Sequence, residues 1–347
     1  MDHASGRVTT CAVGVSGTET LSPRAVDNGA DGPRCLAVMY HYVRSADPLL
    51  PGSFPALSLE EFTAQLDQLC ATMEPIDWPR LFAWTQQRAA LPARCFLLTF
   101  DDGLADHYRH VVPLLTARGL HGVFFVPGVV LTGQRLLSAH AIHLLLATLG
   151  DEEFIAEISQ CLDAQAPDAN WWGRVNEAAA RALYHYETPL RGRLKYLLTM
   201  TLPIPLREAV VAELFGRHIG SPVRWARQWY VQWEQLKEME SLGHTVGGHG
   251  FAHESYARLA ADEVRQDIAH VGAVLRQGLG PDIRPFSFPY GGVTDLALDV
   301  CRQAGFVHAF TTQSRWIAAP VDAFRLPRVD TIAVAAELTK EGRCPQK

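Results

Sequence analysis

Two carboxylates, Asp101 and Asp102, stand side by side in the run TFDDG, Thr99–Gly103. Adjacent acids repel each other. A cation held by one, with a proton handled by the other, relieves that cost. Two histidines, His249 and His253, lie four residues apart in GGHGFAHESYARL. Neutral imidazoles are good ligands for zinc and similar divalent metals. A spacing of four brings both rings to one side if the backbone makes a helical turn there. One carboxylate and two imidazoles form a three-ligand site with open positions for water and substrate. Each signal alone is weak. DDG is ordinarily a solvated turn, and in a chain with 14 histidines a His-x-x-x-His pair is ordinarily a surface feature.

The surrounding elements give these residues a position. The apolar run CFLLTF reads as a buried strand that ends on the acid pair, and Gly103 frees the backbone to turn. Chemistry in α/β folds sits at the carboxyl ends of strands. CLAVMYHYV (35–43) reads as a first strand. The segment after it has Ser58 and Glu61 spaced as a capping box, with Phe62, Leu66, Leu69 and Met73 on one helical face. A helix near 104–118 and a strand at 121–127 follow. This alternation predicts βαβ units and a mainly parallel sheet or barrel. Between about 131 and 232 the rhythm changes to helix after helix, including SAHAIHLLLATLG, DEEFIAEISQCLDA, LRGRLKYLLTM and LREAVVAELFG. The expectation is an all-helical insertion in an α/β domain spanning 34–340. The α/β pattern resumes with helix 232–242, strand 244–249, helix 261–278, strand 284–288, helix 294–304 and strand 307–312. Residues 1–33, rich in small and polar types without periodicity, are expected to form a mobile leader, and 341–347 a similar tail.

The 347 residues, 48% of them hydrophobic, suffice for a large core. The net charge of -6, with no basic stripe, argues against nucleic acid and anionic membrane surfaces as partners. No stretch reaches membrane-spanning length and no basic region precedes a long apolar one. Seven cysteines without a CxxC lead to the expectation of reduced thiols in a cytoplasmic protein.

Taken in order, the motifs resemble those of the polysaccharide deacetylases, the NodB-homology or carbohydrate esterase family 4. The first family motif, T-F-D-D-G, is matched without change at 99–103. The second, H-[ST]-x-x-H, is matched at His249 and His253, with Gly250 in place of the hydroxyl residue. The third is present in the relaxed form FSFPYGG, 286–292, with Ser287 where an Arg often stands. MYHYV near the start, AFTT at 309–312 and LPR at 326–328 also fit the relaxed branch. The resemblance covers about 35 to 330 and implies a distorted (β/α) barrel of about seven strands with a helical insertion.

The resemblance further implies a metal-dependent amide hydrolase that releases acetate and an amine. Asp102, His249 and His253 would hold a divalent cation, zinc first, with cobalt, iron or nickel as alternatives. Asp101 would be the general base. The backbone N–H of Tyr290, in the Pro289–Gly291 turn, would stabilise the oxyanion. Two departures leave roles open. No Arg at 287 orients Asp101, and no late His protonates the leaving amine. Arg328 is a candidate to tether Asp101 or to grip substrate, and His41, at the end of the first strand, is a candidate acid.

The remaining conspicuous residues receive structural readings. Trp225, Trp229 and Trp233 at i, i+4 and i+8 read as one packed helix face. Trp171 and Trp172 read as a cap over the insertion's own core. His140 and His143 read as packing or capping residues on a shared helical face, without an evident carboxylate partner. The expected substrate is an acetamido sugar on a nucleotide, lipid or small metabolite, with the insertion narrowing the groove to a pocket for one or two sugars. The competing readings are another amide hydrolysis, such as deformylation or opening of a cyclic amide, and a binding protein that has lost turnover. The oligomeric state is left open.

Overall fold

The computed structural model describes residues 32–342, apart from 45–49, 51–53, 55, 134, 168 and 283. Nearly all of the expected leader and tail lies outside the described residues. Eleven strands are present among those described: β1 Arg34–Tyr40, β2 Val43–Arg44, β3 Leu57–Ser58, β4 Glu74–Pro75, β5 Arg94–Phe100, β6 Gly122–Val126, β7 Thr245–Gly248, β8 Arg284–Ser287, β9 Phe306–Phe310, β10 Ile317–Ala318 and β11 Val329–Asp330. The helices are α1 Leu59–Thr72, α2 Trp78–Thr85, α3 Val112–Ala117, α4 Ser138–Gln165, α5 Glu177–Leu183, α6 Pro189–Tyr196, α7 Ile204–His218, α8 Pro222–Trp229, α9 Trp233–Ser241, α10 Ala261–Leu279, α11 Asp295–Gln303 and α12 Val334–Gly342.

The main sheet runs β10-β1-β5-β6-β7-β8-β9, with β1 and β5 to β9 all parallel and β10 antiparallel at the edge of β1. It curls into a distorted barrel. The seam between β9 and β1 is spanned by the segment after Phe324, where Leu326 bridges Phe310 and Val329 pairs with Val38. This crossing carries Arg328 into the barrel.

Strand periodicity explains the two layers of core. Cys35, Ala37, Cys95, Leu97, Val123 and Phe125 pack with Phe310 and Leu326. Phe125 on β6 meets Phe310 on β9 at 5.4 Å between ring centroids, although the two strands are not neighbours. That contact runs across the barrel interior. The alternate residues Leu36, Val38, Phe96, Leu98, Phe100 and Phe124 face the helices. Strands buried on both faces read as unbroken apolar runs, which is why β1 and β5 were legible without alternation. The capping box at the start of α1 is formed as expected: Ser58 Oγ accepts from Glu61 N–H at 3.1 Å and Glu61 Oε2 from Ser58 N–H at 2.8 Å.

Residues 131–232 form helices α4 to α8, joined to the barrel through one continuous core. Leu145, Phe154, Ile158 and Leu162 of α4 pack with Val210, Leu214 and Phe215 of α7 in the same cluster as the outer barrel residues. One expectation is corrected here. Trp225, Trp229 and Trp233 do not share a helix. Trp225 and Trp229 lie on α8, which ends at Trp229, and Trp233 starts α9. The break at 230–232 has a cause: Tyr230 pairs with Leu104 in an isolated antiparallel bridge, and Val231 N–H donates to Gly103 O at 3.0 Å. Tertiary pairing with the TFDDG turn outweighs helical continuation. Trp172 packs in the insertion, its indole N–H on Ser159 Oγ at 3.0 Å.

Candidate active site

Asp101 is the first residue beyond β5, and its N–H donates to Tyr40 O at 2.9 Å, extending the ladder with β1 by one step. Asp102 then adopts φ +77°. This left-handed conformation costs a non-glycine residue on the order of 1–3 kcal/mol. It sends the two carboxylates to different partners.

Arg328 grips Asp101. Its Nη1 donates to Oδ1 at 2.7 Å and its Nη2 to Oδ2 at 2.8 Å, a bidentate fork. The same guanidinium donates to Ser287 Oγ at 2.8 Å, Thr99 Oγ1 at 3.3 Å and, through Nε, Thr311 O at 3.1 Å. Of the two openings left by the sequence, tethering is therefore the one realised. A side chain 1% exposed and fully engaged cannot grip substrate. Ser287, a neutral hydroxyl that cannot form an ion pair, accepts from Arg328 at 2.8 Å and donates to Asp101 Oδ2 at 3.5 Å. Burial alone would raise the Asp101 pKa. Arg328, with His249 and His41, outweighs it and holds the carboxyl below its ordinary value.

His249 follows β7. Its Nδ1 faces Ser287 O at 2.8 Å, so Nδ1 carries the donated proton and Nε2 is left facing the carboxylates. Nε2 lies 3.4 Å from Asp102 Oδ1 and 3.8 Å from Asp101 Oδ2. His253 Nε2 lies 3.0 Å from the same Asp102 Oδ1. Burial alone would lower the His249 pKa, but the two carboxylates override it and raise it.

The two histidines are brought to one side without a helical turn between them. The segment is a loop, with Gly250 at φ +68° and His253 at φ +58°. Asp267 of α10 organises it, accepting from Phe251 N–H at 2.8 Å, Ala252 N–H at 2.7 Å and Tyr256 Oη at 2.6 Å. A Cβ at position 250 would meet Tyr256 Oη at 2.9 Å and Asp267 Oδ1 at 3.0 Å. Glycine thus replaces the family's hydroxyl residue for two reasons, backbone conformation and space.

The residues fit a divalent cation. One donor atom from each of Asp102, His249 and His253 lies within 4.8 Å of the others. Asp102 Oδ1 is buried and has no hydrogen-bond partner, although two imidazole nitrogens face it. A carboxylate pair that raises the proton affinity of a buried imidazole is one that favours positive charge between them. The donor set of two imidazoles and one carboxylate suits zinc and its neighbours.

His41 caps β1, and His107 Nε2 hydrogen-bonds its carbonyl at 2.6 Å. Its side chain is 38% exposed and its Nε2 lies 3.9 Å from Asp101 Oδ2. Pro289–Gly291 form one 3-10 turn, with Tyr290 at φ +56° and its ring 5.2 Å from that of His253. The Gly291 N–H is engaged by Phe288 O at 3.0 Å.

Two contacts from the insertion escaped the sequence reading. His140, read there as lacking a carboxylate partner, has one: its Nε2 lies 2.9 Å from Asp102 Oδ2 and its Nδ1 2.7 Å from Tyr230 Oη. Arg207 of α7 clamps Glu254, the residue after His253, through Nη1–Oε2 at 3.0 Å and a second bond from Nη2 to Oε1. No local signal marks either pair, since the partners are 38 and 47 residues apart.

The model of the polysaccharide deacetylase family matches residues 88–164 and 212–309, just over half of the chain. It leaves out the middle of the insertion and the segments that carry His41 and Arg328. No curated protein matches the chain. Among solved structures, IcaB from Ammonifex degensii is 21% identical, with a TM-score of 0.55 over 89% of this chain and 97% of that one. A de-N-acetylase from Aggregatibacter actinomycetemcomitans is 18% identical, with a TM-score of 0.55 over 88% and 99%. The BpsB deacetylase domain from Bordetella bronchiseptica is 18% identical, with a TM-score of 0.52 over 86% and 96%. These likenesses are of fold. With the family match and the motifs at the strand ends, the chain belongs to the polysaccharide deacetylase family and is a hydrolase of acetyl-type bonds.

Proposed function

We propose that the protein is a metal-dependent N-deacetylase that hydrolyses the acetamide of an N-acetylated sugar to amine and acetate. The observation that carries this reading is the orphaned, buried Asp102 Oδ1, faced by His249 Nε2 and His253 Nε2. A divalent cation bound there supplies Lewis acidity to water and to the amide carbonyl.

The chain's own groups do the rest. Asp101, kept ionised by Arg328, accepts the proton of the attacking water as its oxygen bonds to the carbonyl carbon. The Tyr290 N–H stabilises the oxygen on which charge develops. His41 faces Asp101 from the accessible side and delivers a proton to the nitrogen as the carbon–nitrogen bond breaks. The burial of Asp102, His249 and His253, whose side chains are 6%, 2% and 8% exposed, supports a short substrate reaching into a pocket rather than a polymer sliding over a surface. The amine would come from a sugar joined to a nucleotide, lipid or small metabolite.

The test has two parts. Zinc stoichiometry is measured for the intact protein and for Asp102→Ala, His249→Ala and His253→Ala. The loaded protein is then screened by mass spectrometry against short, carrier-linked and polymeric acetamido sugars. One bound metal in the intact protein, about tenfold weaker in each variant, and a 42-dalton loss (~42, one acetyl exchanged for hydrogen) from a short sugar are expected. Metal content unaffected in all three variants removes the metal centre. Faster release per acetyl from a long polymer than from every short sugar removes the pocket reading.

A further inference from the structure

His140 stands at the start of α4, in the insertion, yet its ring reaches the proposed metal ligand of the barrel. Its side chain is fully buried, as is Tyr230 at the opposite end of the insertion. The hydrogen-bond order along this chain of groups is fixed by counting protons. Leu137 N–H donates to Tyr230 Oη at 2.9 Å, so the single phenolic proton remains for another acceptor. That acceptor is His140 Nδ1, at 2.7 Å. The ring proton therefore sits on Nε2 and is donated to Asp102 Oδ2 at 2.9 Å.

The consequence falls on Asp102. Its Oδ2 is occupied by His140, and its Oδ1 is the orphan facing His249 and His253. The left-handed backbone of Asp102 turns its carboxylate away from that of Asp101, and the bond to His140 engages one of its two oxygens. Both ends of the insertion are tied to this turn, His140 through its side chain and Tyr230 through its bridge to Leu104.

The geometry points to His140 as a positioning residue that holds Asp102 as a one-oxygen metal ligand, with Tyr230 setting the tautomer. The helical insertion is thereby a structural part of the metal centre and not only a wall of the pocket. This inference rests on the metal-centre reading above. Outer groups that orient metal ligands typically govern metal affinity by about 10- to 100-fold.

The test measures metal binding to the full chain, without reference to turnover. Zinc affinity is read by competition with a chromogenic chelator, and cobalt(II) absorption reports the ligand field. Circular dichroism and melting confirm the fold of each variant. His140→Phe should weaken zinc by about 10- to 100-fold and alter the cobalt spectrum, because both oxygens of Asp102 become free. His140→Gln, whose amide N–H can replace Nε2–H, should recover most of that loss. Tyr230→Phe should cost less than His140→Phe, since the donor remains but its tautomer lock is gone. Should His140→Phe fail to fold, the Gln and Tyr230→Phe variants carry the comparison. Wild-type affinity and spectrum in every folded variant, alongside a wild-type metal site that depends on Asp102, overturns this inference and leaves the proposed function standing. A wild-type protein with no metal site dependent on Asp102, His249 and His253 overturns both.

Discussion

Replacing Arg328 by leucine strips the fork from Asp101 and leaves a buried carboxylate faced by Ser287 Oγ and the imidazoles of His249 and His41, without a permanent cation. Two charge-assisted bonds, 2.7 and 2.8 Å long, disappear. At about 1.5–3 kcal/mol each they sum to roughly 3–6 kcal/mol. Breaking one partner of a buried ion pair typically costs about 3–5 kcal/mol, which narrows the expectation to that range. In a chain of this length, a loss of that size should lower Tm by roughly 4–7 °C.

The pH dependence identifies the cause. In the intact protein the Asp101 pKa is held below its ordinary value, after Arg328, His249 and His41 outweigh the effect of burial. A depressed carboxylate adds stability above its unfolded pKa, near ~4, and loses it as pH falls through the folded value. Without the guanidinium, burial dominates and pushes the carboxyl up, so the variant is relieved by protonation as pH falls. The stability gap between the two proteins should be largest at neutral pH and should shrink in acid. Urea melts of chelator-treated wild type and Arg328→Leu between pH 4 and 7 measure it. A gap under about 1 kcal/mol at pH 7, or one unchanged by acid, would refute the reasoning. Arg328→Lys, which keeps the charge without the fork, should fall between the two.

Asp101→Asn should cut turnover by about 10²–10⁴-fold while leaving metal content unchanged, since the amide cannot take a proton; a loss below threefold (~3) with metal retained removes the general base. His41→Gln should lower kcat without changing zinc affinity, and an unaltered pH–rate profile in that variant removes His41 as the acid. Arg207→Met should destabilise the protein by about 3–5 kcal/mol by abandoning the Glu254 charge, with Arg207→Met/Glu254→Gln recovering part of the loss in denaturant melts. An Arg207→Met cost below about 1 kcal/mol would mean that the pair does not anchor the insertion to the barrel.

Some of this site was legible from sequence because its causes are local. CFLLTF is apolar but for Thr99 since both faces of β5 are buried, and the strand end places Asp101 and Asp102 where its ladder stops. The alternation of strands and helices, and the helical run at 131–232, follow from periodicity within each segment. The spacing of the two histidines would align their rings on a helical turn, but a loop brings them together instead, because the acceptor that folds it, Asp267, lies on α10, more than a helical turn beyond the motif. The tryptophan spacing promised one helix, and a bridge to Leu104 broke it into two. Hydrogen bonds formed across long loops leave no periodic trace, because nothing near either partner in the chain depends on the other. Arg328 reaches Asp101 across 227 residues through the segment that closes the barrel seam, and His140 reaches Asp102 only once the start of α4 meets the turn after β5. The sequence alone therefore determined which side chains could hold a metal and move a proton. Only the tertiary structure decided which charged neighbour steadies each of them, since that choice belongs to chain closure and packing.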